Sequence, residues 1–156
     1  WLADNCHAPI FADPVSTVKA EKLRPVLGKL HTLKPNRLEA ELLSGVPITG
    51  TDSLHRAAQT LLETGLHRVF ISLGADGVYA ADQSGSVTLP APKAEMVSTT
   101  GCGDSFMAAL TWAYLQGSDL ERSARAGLAA SSLTMESAET IHPSMSEAEL
   151  LRRMAL

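Results

Sequence analysis

The stretch R-V-F-I-S-L-G-A-D-G, residues 68–77, is the clearest strand-to-turn segment of the chain. Its first six residues are rich in β-branched and aromatic side chains, which predicts a buried strand. Gly74 and Gly77 then allow the backbone to turn sharply. Such a turn places backbone groups at the carboxyl edge of a parallel sheet, where α/β proteins bind ligands. Taken alone, the same letters also fit an ordinary turn.

Outward from this stretch, short apolar runs alternate with helical patterns. We expect two further strands, at 9–13 and 31–34, and a hairpin in which Val78–Ala81 and Val87–Leu89 flank a turn at 82–86. The helical patterns cover 18–30, 36–43, 53–65, 101–116, 119–135 and 145–154. This order predicts an α/β fold with a mostly parallel sheet flanked by helices.

The composition excludes several classes of protein. With 156 residues, 45% of them hydrophobic, and a net charge of −4, the chain fits one globular domain and lacks the positive charge that binds nucleic acid or an anionic membrane. No apolar run is long enough to span a membrane. The two cysteines, Cys6 and Cys102, form no C-x-x-C pair, so a reducing cytoplasm is the simpler location. The chain starts at Trp1, and we expect it to be part of a longer protein.

Residues 98–104 read S-T-T-G-C-G-D and precede a helix of small residues. Glycines at a helix start let several backbone N–H groups converge, and the helix dipole adds positive charge there, so the turn favours an anion. Asp104 at the same place could accept a proton from a hydroxyl group. An anion site beside a carboxylate base suits transfer of a phosphoryl group to an alcohol. On chemistry alone, capping the helix is the commoner role of such an aspartate.

Asn36 and Glu39 lie three residues apart at a predicted helix start. On its own this spacing is best explained as a capping box, in which each side chain bonds the backbone of the other residue. Lys34 could touch a phosphate, although a solvated lysine is the more common case. Asp13 follows a predicted strand and could join a metal and phosphate network, or it could simply begin a turn.

Three segments occur in the order found in the ribokinase-like (PfkB) carbohydrate kinase family. They are N-x-x-E at 36–39, S-L-G-A-D-G at 72–77 and S-T-T-G-C-G-D-S-F-M-A-A-L at 98–110. The chain therefore resembles the C-terminal half of such a kinase. The resemblance implies a three-layer ribokinase-like fold in which residues 1–156 form the nucleotide-binding and catalytic portion. We expect the N-terminal portion, which carries the substrate pocket and lid, to lie outside this sequence.

The resemblance also implies a role for each site residue. Asp104 is the catalytic base; the backbone of Gly101, Cys102 and Gly103 forms the anion hole; Ser72, Gly74 and Gly77 bind the nucleotide; and Asn36 and Glu39 organise Mg²⁺ through water. Ala129 and Ser132 fall where the family builds its adenine pocket, although small residues within a helix are more often plain packing residues. Two positions depart from the family pattern. Cys102 replaces an alanine, a change we expect to be tolerated because the backbone binds the phosphate. Ser98 replaces an aspartate that in many members helps to hold a monovalent cation, which puts a potassium site in doubt.

The implied activity is ATP-dependent phosphorylation of a sugar or nucleoside, with ATP and Mg²⁺ as cofactors and a homodimer as a possible assembly. The runs A-D-P-V-S (12–16) and H-T-L-K-P-N-R-L-E-A-E-L-L-S-G (31–45) look most similar to nucleoside kinases, those for the 5′-hydroxyl of pseudouridine among them. Ribose, a fructose phosphate and another nucleoside are the alternative acceptors. A non-catalytic ATP-binding half-domain is a further alternative. A dinucleotide-binding oxidoreductase is disfavoured because the G-x-G at 101–103 lacks the third glycine of that fingerprint, and no P-loop motif is present.

Overall fold

Strand β3 (Arg68–Ser72) is the central strand of a five-stranded sheet in the computed structural model, which describes residues 1–155. The strands lie in the order β1 (Phe11–Ala12), β2 (Thr32–Leu33), β3, β4 (Val78–Asp82) and β5 (Gly85–Leu89). The first three are parallel, with Leu33 opposite Ala12 on one side and Val69 on the other. The predicted hairpin is confirmed as β4 and β5. The sheet is thus mixed, with its parallel part at β1–β3.

Apart from the short α1, the helices lie close to their predicted positions. They are α1 (Leu2–Asn5), α2 (Thr17–Ala20), α3 (Arg37–Ser44), α4 (Thr51–Glu63), α5 (Cys102–Leu115), α6 (Leu120–Met135) and α7 (Glu147–Met154). None of the helices in the described residues is long and apolar enough to cross a membrane.

Three helices differ from the sequence-based expectation, and α7 does so by beginning at Glu147 rather than at 145, after its N-cap Ser146. The helix expected at 18–30 is α-helical only in α2 and continues as a 3₁₀ helix over Glu21–Lys29, which contains Pro25. Proline has no N–H for an α-helical bond and its ring crowds the preceding turn. Helix α4 begins at Thr51, two residues before its expected start at 53. Its N-cap is Gly50, because the Ser53 hydroxyl accepts the N–H of Gly50 at 3.0 Å.

The chain divides into two compact units. The first contains Trp1–Leu73 and Tyr79–Thr88. Its core is formed by the middle of β3 and the apolar face of α4, which repeats at helical spacing as the sequence predicted. The residues from these two elements that are buried there are Leu54, Ala57, Ala58, Leu61, Leu62, Val69 and Ile71.

The second unit contains Gly74–Val78 and Leu89–Leu156. Helices α5 and α6 pack through small residues, among them Ala109, Ala113, Ala126 and Ala130, which allow their backbones to approach closely. Helix α7 contributes Leu150 to this core. An ion pair also fixes α7, because Arg153 Nη1 donates to Glu136 Oε1 at 3.0 Å, and this hydrogen bond lowers the pKa of the Glu136 carboxyl.

Candidate functional site

The glycine turn before α5 is held in a conformation that other residues rarely adopt. Gly101 has a φ of +84° and serves as the N-cap of α5. A Cβ atom at this position would lie 2.8 Å from the carbonyl oxygen of Thr140. Both the left-handed backbone and this close contact require glycine. The structure of the second unit therefore requires glycine at position 101.

Three backbone N–H groups at the start of α5, those of Gly101, Gly103 and Asp104, donate to no acceptor within residues 1–155 and can bind a ligand. The Ser105 N–H, in contrast, reaches the Gly101 carbonyl at 2.9 Å. The Cys102 N–H is engaged with the Thr99 carbonyl at 3.3 Å. The free donors thus include the backbone N–H of Asp104, which was not among the predicted groups of the anion hole. They lie at the positive end of a 14-residue helix, where an anion is favoured.

The Asp104 carboxylate is exposed at the same helix start. It makes no hydrogen bond or ion pair with any of the residues that the structure describes. Asp104 lies on a cavity of about 560 Å³, whose walls are largely apolar and include Trp112, Ile141 and Leu150. A carboxylate in this position is accessible to an incoming hydroxyl group.

Cys102 lies between α5 and α6 with its side chain half-buried. Its thiol donates to the Ser131 carbonyl at 3.6 Å, and burial raises the pKa of the thiol. A raised pKa makes a cysteine a poorer nucleophile, so this thiol serves as a packing group. The Ser98 hydroxyl accepts the Thr100 N–H at 3.2 Å, a hydrogen bond within the segment that precedes α5.

Asn36 and Glu39, in the first unit, form a complete capping box at the start of α3. Asn36 Oδ1 accepts the Glu39 N–H at 3.0 Å, and Glu39 Oε2 accepts the Asn36 N–H at 2.8 Å. Asn36 is exposed, whereas Glu39 is only 2% exposed. Glu39 Oε1 has no hydrogen-bond partner among the described residues and is the oxygen left for a water-mediated role.

The side chains of Asn36 and Glu39 suit a Mg²⁺ ion that is held largely by its bound waters. No group of three or more His, Cys, Asp or Glu side chains in residues 1–155 is arranged to hold a metal ion. Mg²⁺ needs only one or two carboxylates because it keeps several waters and binds substrate phosphates. Glu39 can provide one carboxylate oxygen.

Lys34 and Asp13 form a nearly buried ion pair just beyond β2 and β1. The Lys34 Nζ to Asp13 Oδ2 distance is 2.9 Å, and Lys34 is only 6% exposed. The expectation of a solvated lysine is therefore wrong. Asp13 Oδ1 also accepts the Val15 N–H at 2.9 Å, as expected of an aspartate that begins a turn. The pair lies at the carboxyl edge of the parallel strands, because each residue follows its strand directly.

Ser72 ends β3 beside the segment that contains Asn36. Its N–H donates to the Pro35 carbonyl at 2.9 Å, and Ser72 forms an isolated parallel bridge with Asn36. The first unit thus brings together two sequence-predicted site residues that are 36 positions apart in the chain. The sheet does this, since β2 and β3 are adjacent and parallel.

Gly74 and Gly77 form the turn that follows, at the start of the second unit. Their φ angles are +64° and +97°, and the Gly77 N–H donates to the Gly74 carbonyl at 3.1 Å. A Cβ atom on Gly77 would lie 2.0 Å from the Leu89 carbonyl oxygen, whereas one on Gly74 would meet nothing within 4 Å. Gly77 is thus required by packing as well as by its φ angle.

Ala129 lines a second cavity of about 560 Å³ in this unit, together with Leu89, Pro90, Ala91, Pro92, Lys93, Arg125, Leu128, Arg153 and Met154. Ser132 lies elsewhere: it is 2% exposed, and its hydroxyl donates to the Ala129 carbonyl within the helix at 2.9 Å. The segment 89–93 was not predicted to belong to a site, because its P-A-P pattern at 90–92 indicates only that the chain leaves the hairpin.

Comparisons with known proteins agree on one family. Residues 1–148 match the family described as pfkB family carbohydrate kinase. A pseudouridine kinase of Escherichia coli (strain K12) is 39% identical over 153 residues, which cover 97% of this chain and 49% of that protein. The chain thus spans about half the length of this relative.

Solved structures show the same relationship. A crystal structure of a protein classed as a sugar kinase, from Clostridium perfringens, has a TM-score of 0.94 at 36% identity, covering 99% of this chain and 49% of that one. The ribokinase of Arabidopsis thaliana, complexed with ribose and ATP, has a TM-score of 0.75 at 28% identity, covering 85% of this chain and 43% of that one. The ribokinase-like α/β fold expected from the sequence is confirmed.

Proposed function

Because the chain belongs to the pfkB family of carbohydrate kinases, we propose that it is the nucleotide-binding and catalytic portion of an ATP-dependent kinase. The reaction transfers the terminal phosphoryl group of ATP to a hydroxyl group of a small sugar or nucleoside. We place the protein in the cytoplasm, where ATP is available and where Cys6 and Cys102 stay reduced, as both are free thiols here.

The observation that carries this proposal is the pairing of free backbone donors with an unpaired carboxylate at one helix start. The N–H groups of Gly103 and Asp104 bind the phosphoryl oxygens, on which charge builds during transfer. The Asp104 carboxylate takes the proton of the acceptor hydroxyl. The hydroxyl oxygen then forms a bond to the γ-phosphorus, the bond from that phosphorus to the β,γ-bridging oxygen breaks, and ADP leaves.

The nucleotide is proposed to lie along the turn at 74–77 and the cavity beside α6. At the carboxyl end of β3, the backbone donor proposed for the phosphates is the Gly74 N–H, which donates to no acceptor among the described residues. Ser72 and Gly77 shape this segment through their own N–H bonds, to the carbonyls of Pro35 and Gly74. The cavity with Ala129 has the apolar walls that a nucleobase requires, from Pro90, Pro92 and Leu128. Ser132 supports this wall through its bond to the Ala129 carbonyl rather than by direct contact.

Asn36 and Glu39 are proposed to organise Mg²⁺ through its bound waters. The ion would neutralise charge on the ATP phosphates. Asn36 fixes the start of α3, and Glu39 Oε1 would accept a hydrogen bond from a water bound to the ion. Lys34 stays paired with Asp13 at the same sheet edge, where the two charges offset each other.

We expect Glu39→Gln to raise the Mg²⁺ concentration needed for half-maximal turnover in the full-length protein by roughly tenfold, with little change in acceptor affinity. Glutamine also serves at this position of a capping box, so α3 should persist while the charge is lost. The measurement is a magnesium titration at fixed ATP. The control is Glu63→Gln, an exposed change at the end of α4. An identical titration for Glu39→Gln and the unsubstituted protein would remove Glu39 from the magnesium site.

The acceptor that we favour is the 5′-hydroxyl of pseudouridine. The support for this choice is the identity to a pseudouridine kinase, 39% over nearly the whole chain.

Two measurements test the proposal. Calorimetry of the 156-residue chain with MgATP should show binding, and an assay of the full-length protein should release ADP fastest with pseudouridine among a panel that includes uridine, ribose and fructose 6-phosphate. A clear preference for ribose or fructose 6-phosphate would overturn the acceptor and keep the kinase. ATP binding without ADP release on any acceptor would support a non-catalytic ATP-binding protein. Failure to bind ATP in both forms would overturn the kinase assignment.

A further inference from the structure

Helix α6 contacts the glycine turn before α5 through two hydrogen bonds between Ser131 and Cys102. The Ser131 hydroxyl donates to the Cys102 carbonyl oxygen at 2.7 Å, and the Cys102 thiol donates to the Ser131 carbonyl oxygen at 3.6 Å. The two residues are 29 positions apart, so the pair joins the first turn of α5 to the body of α6.

A second contact from α6 lies beside the first. The Ser105 hydroxyl is 2.9 Å from the Gly101 carbonyl oxygen and 2.5 Å from Thr134 Oγ1. Thr134 is fully buried, at 0% exposure, so its hydroxyl is a fixed point in the second unit. The carbonyl groups of both Gly101 and Cys102 are thus held by hydroxyl groups, either on α6 or bonded to it.

These contacts fix the direction of the free N–H group of Gly103. In a planar trans peptide, the carbonyl of one residue and the N–H of the next point in opposite directions. The peptide that joins Cys102 to Gly103 has its carbonyl turned toward Ser131, so the Gly103 N–H points away from α6. A carbonyl oxygen has two lone pairs, so Ser131 adds to the helical bond without replacing it.

We propose that Ser131 is a positioning residue for phosphoryl transfer, with the Cys102 thiol as its reciprocal partner. By holding the peptide between Cys102 and Gly103, Ser131 keeps the Gly103 N–H aimed at the phosphate before the reaction begins. Donors that are oriented in advance stabilise a transition state more than donors that must reorient. This inference rests on the proposed function for the identity of the anion. The hydrogen bonds that hold the turn do not depend on the proposed function.

The first test measures the turn without any nucleotide. Amide order parameters from NMR relaxation of the 156-residue chain should lie near 0.85 at Gly103 and Asp104 and fall toward 0.6 in Ser131→Ala. Ser131→Thr keeps the hydroxyl and should restore them. Ser123→Ala is the matched control, because Ser123 is a buried serine of the same helix whose hydroxyl bonds the Asp119 carbonyl within α6.

The second test measures turnover in the full-length protein. Ser131→Ala should lower kcat roughly tenfold with little change in the KM for ATP, and Ser131→Thr should recover most of the loss. Unchanged order parameters in Ser131→Ala would overturn the inference whatever the activity. An equal loss of kcat in Ser123→Ala would also overturn it, because the effect would then be general destabilisation. The order parameters could fall in Ser131→Ala although the full-length protein turns over no ATP. That result would overturn the proposed function, and with it the role of Ser131 in phosphoryl transfer, but it would still show that Ser131 orders the turn.

Discussion

Replacing Asp104 with asparagine is expected to lower kcat of the full-length protein by on the order of 10²–10⁴-fold, the usual contribution of a general base. Asparagine has the same shape but cannot take the proton of the acceptor hydroxyl. ATP binding should persist, since the backbone N–H groups of Gly103 and Asp104 remain in place. The fold should persist too, because the Asp104 carboxylate makes no hydrogen bond or ion pair with the described residues that the substitution could break. Steady-state kinetics beside calorimetry with MgATP would measure both quantities.

Asp119→Asn is the matched control for this experiment. Asp119 is the N-cap of α6, where its side chain accepts the Arg122 N–H at 2.8 Å, and asparagine caps helices equally well. This variant should retain ordinary turnover. If Asp104→Asn turned over within a few-fold of the unsubstituted protein, Asp104 would not be the base, and the chemistry proposed for this helix start would have to be abandoned.

The second large effect is expected for Gly77→Ala, which should destabilise the fold by about 2–5 kcal/mol. A left-handed conformation costs a non-glycine residue about 1–2 kcal/mol. Overpacking adds about 1–3 kcal/mol, because the new methyl group would start 2.0 Å from the Leu89 carbonyl oxygen. Backbone atoms form this contact, so no side-chain rotation relieves it. Urea unfolding of the 156-residue chain, followed by circular dichroism, would give the free energy.

Gly74→Ala provides the comparison that isolates the contact. Gly74 also has a positive φ, +64°, but a Cβ atom there would meet nothing within 4 Å. This variant should lose only the conformational term, about 1–2 kcal/mol. The difference between the two variants measures the packing of the turn against the segment after β5. Equal losses would show that this contact relaxes at no cost and that Gly77 is required for its φ angle alone.

The sequence predicted most of the elements because their signals are local. The strand at 68–73 and the helix whose apolar residues run from Leu54 to Leu62 could be recognised from spacing alone, and both are confirmed. The errors also have local causes. A proline changed the helix after Ala20 into a 3₁₀ helix, and Ser53 moved the start of α4 by bonding backward to Gly50.

The candidate site was predictable in its residue types and less so in its contacts. The glycine turn, Asp104 and the capping box of Asn36 and Glu39 were all identified as short patterns. The burial of Lys34 against Asp13 was not, because these residues are 21 positions apart and meet only through the pairing of β1 and β2. Ser131 carried no signal at all, since a serine within a helix is usually unremarkable in sequence.

By itself the sequence determined the order of strands and helices, the family and the chemical types present at the helix start, because each depends on neighbours within a few residues. Only the tertiary structure decided which backbone N–H groups are free, which carboxylate is open to a hydroxyl, and which side chains hold the turn. These properties depend on atoms far apart in the chain, such as Thr140 against Gly101 and Ser131 against Cys102. Tertiary packing brings such atoms together, and the conformational preferences of neighbouring residues do not specify which distant atoms will meet.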